Sequence, residues 1–478
     1  MLNFLKNYFH IEAHHSTVKN EVIAGITNYF TVIYLVLLVP EIIMGSFSGV
    51  IGPDGEIIRD QIIYGNITAG EMFVILTAAA FIAAGIGTLL IGVFINVPFA
   101  QGPSLSVGTF VTYTICINFG YTFYQALAII FISGICFFIM SMVGIEKRIH
   151  RAIPNNIKFA VTAGIGLFIA YTGLEKAHII SINKSLNITL FDIIDFGSVY
   201  TRDALLALFG VFFIVVLIKK HFHGAIFVGK IVCIILAIPL GLIKAVDFQK
   251  FEYSIDLSKT FFKLDFSGII DTTSFSDGIF SFTTLMILVF SICMMNVFET
   301  MSTLIASRNY IKISQDGHVK KRIPHILEID AVSSCVGSIV GSSTISTYVE
   351  STAGVVEGGR TGLTAVVTGL LFLLSVFLSP FVAIIPSSAT ATTLIIAGIM
   401  MLNVIRFIDF DDIVEAVPAF FTMFIIPITK SLTIGIAFGI ISYVIVNLFT
   451  GRKRKRKIKN ILYVLAVLFV IMLIILPR

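Results

Sequence analysis

Apolar runs of about 20 residues, each bounded by short polar stretches, recur from one end of the chain to the other. That length is what a helix needs to cross a bilayer. The first runs are Glu21–Met44 and Glu71–Ile95. A broken stretch, Pro98–Phe119, follows, and then Thr122–Gly144, Ile157–Leu174, Ala204–Ile218 and Gly224–Ile243. A polar loop, Lys244–Gly278, divides the chain. Beyond it come Ile279–Ala306, Leu327–Ser342, a second broken stretch Ser343–Arg360, Leu363–Ile385, Ala389–Val404, Ile413–Thr429 and Leu432–Phe449. The pattern predicts an all-α polytopic membrane protein with fourteen segments, seven on each side of the loop. A last apolar run, Ile461–Leu476, either spans or lies in the interface. Its sixteen residues are slightly short to span, which favours the interface.

The two broken stretches occupy equivalent places, third and tenth. One contains Pro98-Phe-Ala-Gln-Gly-Pro-Ser-Leu-Ser-Val-Gly-Thr and the other Gly341-Ser-Ser-Thr-Ile-Ser-Thr-Tyr-Val-Glu-Ser-Thr-Ala-Gly. Unwound backbone is tolerated at membrane depth only inside protein or beside a cavity. A seven-segment unit crosses an odd number of times, so its repeat is inverted. A matched pair of interrupted segments in such a plan points to the solute site.

Lys and Arg set the orientation. Glu146–Lys158, the pair Lys219 and Lys220, Ser307–Arg322 and Arg452–Lys457 are basic, and all follow even-numbered segments. The loops after the first and seventh segments are acidic or near neutral, with Asp54, Glu56 and Asp60 in one and Asp247, Glu252, Asp256, Asp265, Asp271 and Asp277 in the other. Both ends of the fourteen-segment body are therefore expected on the cytoplasmic side. Residues 1–20 are polar and His-rich and lack the apolar core of a signal peptide.

Composition agrees. The 478 residues are 57% apolar and only 13% charged, against ~25% charged in soluble domains. Cys116, Cys136, Cys233, Cys293 and Cys335 all lie in apolar stretches without metal-ligand spacing and read as small buried hydrophobes. The net charge of +5 sits in a few clusters and does not indicate nucleic acid. No HExxH, GxSxG or nucleotide-binding pattern is present, and Gly358-Gly-Arg-Thr-Gly lacks phosphate-loop spacing. An enzyme thus has no motif to rest on, and neither metal nor cofactor is expected.

An ionisable group within a span is costly and marks function by default. Glu299, in Met294-Met-Asn-Val-Phe-Glu-Thr-Met-Ser-Thr, lies deep in the eighth segment, and Glu350 lies in the broken tenth. The bland alternatives are a structural carboxylate bonded to a neighbouring helix and a carboxylate reaching for the interface. Glu328 and Asp330 open the ninth segment and read as helix N-terminal acids. Asp409, Asp411 and Asp412 read as a solvated helix start, and Lys430 as an interfacial anchor.

Thr344-Ile-Ser-Thr-Tyr-Val-Glu-Ser-Thr-Ala-Gly-Val-Val-Glu-Gly-Gly-Arg-Thr-Gly resembles, nearly residue for residue, the signature of the AzgA-like hypoxanthine/guanine/adenine permeases of the nucleobase–ascorbate transporter superfamily. Asp411-Asp-Ile-Val-Glu-Ala-Val-Pro, Gly435-Ile-Ala-Phe-Gly and Ala163-Gly-Ile-Gly-Leu-Phe-Ile-Ala-Tyr-Thr-Gly are similar to further family segments. The resemblance implies two inverted seven-segment repeats. Core regions would be 21–144 (segments 1–4) and 279–386 (segments 8–11). Gate regions would be 145–244 and 387–450. The remainder would be a cytoplasmic N-terminus at 1–20, an extracellular loop at 245–278, and a basic linker with an apolar helix at 451–478. It also implies short strands from the third and tenth segments pairing at mid-membrane, a purine bound there, and a homodimer.

By position the binding carboxylates fall on Glu299 and Glu350. Ser104, Ser106 and Thr347 lie on the interrupted segments, and Phe298 and Tyr348 are placed to cover the ring faces. Carboxylates accept from adjacent ring N–H groups through strong charge-assisted bonds. In a low-dielectric site a carboxylate also takes up a proton more readily than in water. This supports proton-coupled uptake, with Glu299 as the proton-linked group and Glu350 as the base clamp, or the reverse. The chain departs from the family at Glu299-Thr-Met-Ser-Thr, where Asp-Thr-Thr-Gly-Thr is usual, at Asn296 in place of Asp, and at Gly108 in place of Asn. Another solute on the same fold, such as uracil, xanthine or an inorganic oxyanion, is the nearest alternative.

Overall fold

The computed structural model describes residues 2–47, 49–50, 58, 61–64, 67–144, 152–182, 194–196, 201–220, 222, 225–242, 255–269, 275–306, 317–382, 387–450 and 460–475. The basic stretches at 145–151, 307–316 and 451–457, and Asp54, Glu56, Asp60, Asp247, Glu252 and Asp271, lie outside the described residues.

In chain order the first half contains α1 (Leu2–Tyr8), α2 (Val18–Ile43), a β1–β2 hairpin (Ile62–Tyr64, Ile67–Thr68) and α3 (Ala69–Leu90). Then come β3 (Gln101–Pro103), α4 (Leu105–Thr109), α5 (Phe123–Val143) and α6 (Asn155–Lys176). The paired strands β4 (Ile180–Ile182) and β5 (Ile194–Phe196), α7 (Arg202–Lys219) and α8 (Ala225–Ala237) complete it. The second half contains α9 (Phe275–Ala306), α10 (Gly317–Val340), β6 (Ile345–Thr347), α11 (Thr352–Val356) and α12 (Gly362–Leu374). It ends with α13 (Ser379–Val382), α14 (Ser387–Leu402), α15 (Ile413–Thr429), α16 (Leu432–Phe449) and α17 (Asn460–Ile475). Among the described residues, eight helices are long and apolar enough to cross a membrane, and four more apolar helices are shorter.

Local chemistry explains most boundaries. Thr68 and Glu71 form a capping box that starts α3, and Thr122 and Gln125 form another at α5. Gly144, left-handed at φ 73°, stops α5. α15 and α16 coincide with the runs read from the sequence. The seventh run is shorter as a helix, ending at Ala237. The ninth differs most. Its helix begins at Gly317, ten residues before the apolar run, because the basic positions that hide it from a hydropathy reading still favour helix.

Close helix crossings rely on small residues, as expected where lipid removes the hydrophobic drive between helices. At the crossing of α6 and α14, a Cβ on Gly398 would lie 2.5 Å from the Gly166 carbonyl oxygen. α12 packs on α2 and α3, and α10 on α3 and α5. Glu21 of α2 is fully buried. Its carboxylate accepts from the backbone N–H groups of Arg360 (3.0 Å) and Thr361 (3.2 Å) and from Thr364 Oγ1 (2.6 Å). The Gly-Gly-Arg-Thr-Gly turn is therefore the capped entry to α12.

α17 packs on α16, and Phe469 meets Phe290 of α9 with ring centroids 5.7 Å apart. Leu462, Leu465, Ala466 and Phe469 are buried, while Val464, Val467 and Ile474 are exposed. An interfacial helix carries a polar face, and α17 is apolar on both.

Charges away from the site join helices at their ends. Lys176 of α6 pairs with Glu41 of α2, both partly buried. Lys430 pairs with Glu175 at 2.8 Å and lies over the rings of Tyr113 and Tyr171 at 5.5 and 5.7 Å. It is thus an interhelical tie, beyond the interfacial anchor expected. Removing one partner of a buried pair strands the other charge. Lys176→Met is expected to cost about 2 kcal/mol, discounted for partial exposure. The double variant Glu41→Leu/Lys176→Met should recover only part of it in a thermal-unfolding double-mutant cycle, because buried Lys230 of α8 also lies within electrostatic reach of Glu41.

Candidate functional site

The third and tenth segments meet through their strands. β3 and β6 pair antiparallel, with Gln101 opposite Thr347, Gly102 opposite Ser346 and Pro103 opposite Ile345. Three-residue strands cannot satisfy their own backbone, so neighbours do so. Ser104 N–H donates to Thr344 O (2.7 Å) and Tyr348 N–H to Ala100 O (3.0 Å). Thr88 Oγ1 accepts from Gln101 N–H and donates to Gln101 O, both at 3.0 Å. Thr303 Oγ1 donates to Thr347 O at 2.9 Å, and Ser334 Oγ to Ile345 O at 3.2 Å. This is the internal satisfaction that lipid demands of irregular backbone.

Helices leave both strands. Ser104 caps α4, its hydroxyl accepting from Val107 N–H at 3.1 Å. After β6 the chain turns at Tyr348 into a short helical stretch, Val349–Ser351, and then α11. The Tyr348 ring lies across Gly102, where an added Cβ would come within 2.5 Å of it, and its hydroxyl donates to Pro103 O at 2.7 Å. This tyrosine is held over the strands by a residue that only glycine can replace.

Glu299 of α9 reaches this junction. Its Oε1 accepts from Ser106 Oγ at 3.0 Å, and the Ser104 and Ser346 hydroxyls lie beside it. Its Oε2 is buried with no hydrogen-bond partner among the described residues. Glu350, partly buried, lies within electrostatic reach of Glu299, and Tyr34 and Tyr348 feel its charge. No ion pair among the described residues involves either glutamate. The site therefore holds two acids within electrostatic reach of each other, with no cation paired to either among the described residues. Further buried polar atoms have no hydrogen-bond partner among the described residues: Tyr34 OH, both amide atoms of Asn296, and the hydroxyls of Ser342, Thr344 and Ser346. Each such group costs free energy unless a ligand or water meets it.

Of the residues singled out in the sequence, Glu299, Glu350, Ser104, Ser106 and Tyr348 come together here. Thr347 is adjacent, but its hydroxyl is directed at Asp330, 2.8 Å away. Phe298 is buried in the apolar core. One residue from Glu299 on a helix, it leaves on a different face.

Asp330 requires a correction. It is no helix-start acid: it lies well inside α10 and is 1% exposed. Its Oδ1 accepts from Thr347 Oγ1 and from Gln101 Nε2, and its Oδ2 from Thr300 Oγ1. Gln101 Oε1 in turn accepts from Ser333 Oγ at 2.9 Å. One carboxylate thus ties both strands to the helix that carries Glu299. The signal available in the sequence was an acid beside Ser333 and Ser334 in an otherwise apolar run. Glu328 is no helix-start acid either, since it too lies inside α10, where it pairs with exposed His325 at 3.0 Å. Asp409 accepts from the N–H groups of Asp411 and Asp412, and Asp412 caps α15, as a solvated helix start should.

Comparison with known proteins gives the class of protein that carries this strand pair. The sequence model of the Permease family matches residues 19–441. The chain belongs to this family. It is accordingly a multi-pass membrane transport protein and not an enzyme. A permease of Methanocaldococcus jannaschii is 35% identical over 98% of both chains. The adenine permease AdeQ of Escherichia coli is 33% identical over 94% of this chain and 92% of its own. The guanine/hypoxanthine permease PbuO of Bacillus subtilis is 31% identical over 98% of this chain and 100% of its own. Among solved structures, the transmembrane domain of the cyanobacterial bicarbonate transporter BicA superposes with a TM-score of 0.56 at 12% identity, covering 90% of this chain and 96% of that one. SLC26A9 gives 0.57 at 12% identity, covering 95% and 69%. At that identity the likeness speaks for the fold alone.

Proposed function

We propose that this permease takes up purine nucleobases (hypoxanthine, guanine or adenine) with protons across the cytoplasmic membrane, binding the base between Glu299, Glu350 and the β3–β6 pair. The observation that carries this reading is the unpartnered Glu299 Oε2 within electrostatic reach of a second acid, with no cation paired to either among the described residues. An oxyanion would meet repulsion there. A purine brings what the site lacks: ring N–H donors for the carboxylates, acceptors for the hydroxyls, and a flat ring that fits against a packed tyrosine. The relatives AdeQ, an adenine permease, and PbuO, a guanine/hypoxanthine permease, support the same class.

Proton coupling follows from charge. Two acids share a buried site, and a proton entering with the neutral base offsets one of them. Glu299 is the proton-linked group in this reading and Glu350 the clamp. The antiparallel pairing of β3 and β6 supports two inverted seven-segment repeats, with core regions 21–144 and 279–386 moving against gate regions 145–244 and 387–450. Both ends of the body would be cytoplasmic.

Uptake of labelled hypoxanthine, guanine, adenine, uracil and xanthine into permease-deficient cells tests the reading. At least one purine should accumulate, and a protonophore should abolish accumulation. Uptake of none of them, or purine accumulation indifferent to the protonophore, would contradict solute and coupling respectively.

A further inference from the structure

Asn296 is 1% exposed, and neither its Nδ2 nor its Oδ1 has a partner among the described residues. Burying an amide with both ends unmet is costly, so its place in the fold matters. On α9, Asn296, Thr300 and Thr303 recur at four- and three-residue spacing, and Glu299 stands one turn after Asn296. Residues so spaced share one helix face. Thr300 bonds Asp330 and Thr303 bonds the Thr347 carbonyl, so this face meets the paired strands. The Asn296 amide therefore stands one turn from the free oxygen of Glu299, on the face that lines the site.

We propose that Asn296 is a specificity-determining residue that reads the six-position edge of the purine and favours a 6-aminopurine over a 6-oxopurine. This rests on the purine reading above. An amide offers one acceptor and two donors side by side. The edge of adenine that carries its exocyclic amine presents a donor beside the N7 acceptor, and asparagine meets both at once. Hypoxanthine presents two acceptors at the same edge. Asn296 then satisfies one of them with Nδ2 and sets Oδ1 against the other. Glu299 Oε2 remains to accept a ring N–H in either case.

The test is equilibrium binding of labelled adenine and labelled hypoxanthine to the purified full-length protein, as wild type and as Asn296→Ala and Asn296→Ser. The ratio of the two dissociation constants is the readout, since it does not depend on how much protein is folded. Wild type should bind adenine more tightly. Both variants should lose that preference by roughly five- to 150-fold, the worth of a bidentate base contact. A wild-type preference for hypoxanthine, or an unchanged ratio in variants that still bind both bases, would overturn the assignment and leave the purine reading standing. A wild type that binds neither base would overturn both.

Discussion

Glu299→Gln is expected to weaken purine binding and uptake by about 10- to 100-fold. Glutamine keeps the shape of the side chain and an oxygen for Ser106 Oγ. It loses the charge, and it replaces the unpartnered Oε2 with an amide NH2 that can only donate. That group confronts the N–H groups of the base, so an acceptor–donor contact becomes donor–donor. Hydrogen bonds to charged groups contribute about 1.5–3 kcal/mol each, and ~1.4 kcal/mol is tenfold in affinity. Glu299→Asp keeps the charge but draws it back by one methylene, and should fall between the two. Initial-rate uptake across a concentration series separates a change in apparent affinity from a loss of protein at the membrane. Wild-type kinetics in the glutamine variant would remove Glu299 from the site.

The second large effect is expected at Asp330 and acts through structure. Asp330→Ala leaves Gln101 Nε2, Thr300 Oγ1 and Thr347 Oγ1 without their common acceptor in a buried setting. Each stranded donor costs about 1–3 kcal/mol, so the loss should be on the order of 4 kcal/mol. Uptake should fall with it, because the same three bonds hold β3, β6 and the Glu299 helix in register. Asp330→Asn keeps an oxygen for Gln101 and Thr347, and the Thr300 hydroxyl can turn to accept from its amide NH2. That variant should retain most of the stability. Thermal unfolding in detergent, measured beside uptake, separates this account from a direct contact with solute, which would spare stability in both variants.

These two carboxylates also show what the sequence makes legible. Glu299 was visible because it interrupts an apolar run, and charge inside a span is costly enough to be conspicuous. The broken segments were visible because Pro98, Gly102 and Pro103 cannot sit in an ordinary helix, and because their counterpart begins at Gly341 in the matching place. The strand pairing itself joins residues more than 240 positions apart; no local pattern specifies it, and only the resemblance to known permeases implied it. Asp330 reads as a helix-start acid because hydropathy marks where a helix becomes apolar, not where it starts. The basic residues after Gly317 continue the same helix. Glu21 reads as the edge of a run, and its role appears only once Thr361 and Thr364 fold back on it. Adjacency in the sequence says little about a shared site: Phe298 precedes Glu299, and a helix turns neighbours away from each other.

The central claim is positional: a purine sits at the β3–β6 junction, between Glu299 and Glu350. A cryo-EM reconstruction of the full-length protein saturated with adenine tests it most directly. Planar density is predicted beside Tyr348, with the single ring N–H of adenine within hydrogen-bond distance of Glu299 Oε2 and its exocyclic amine within reach of the Glu350 carboxylate. Bound adenine lodged elsewhere in the protein, with both carboxylates untouched, would contradict it.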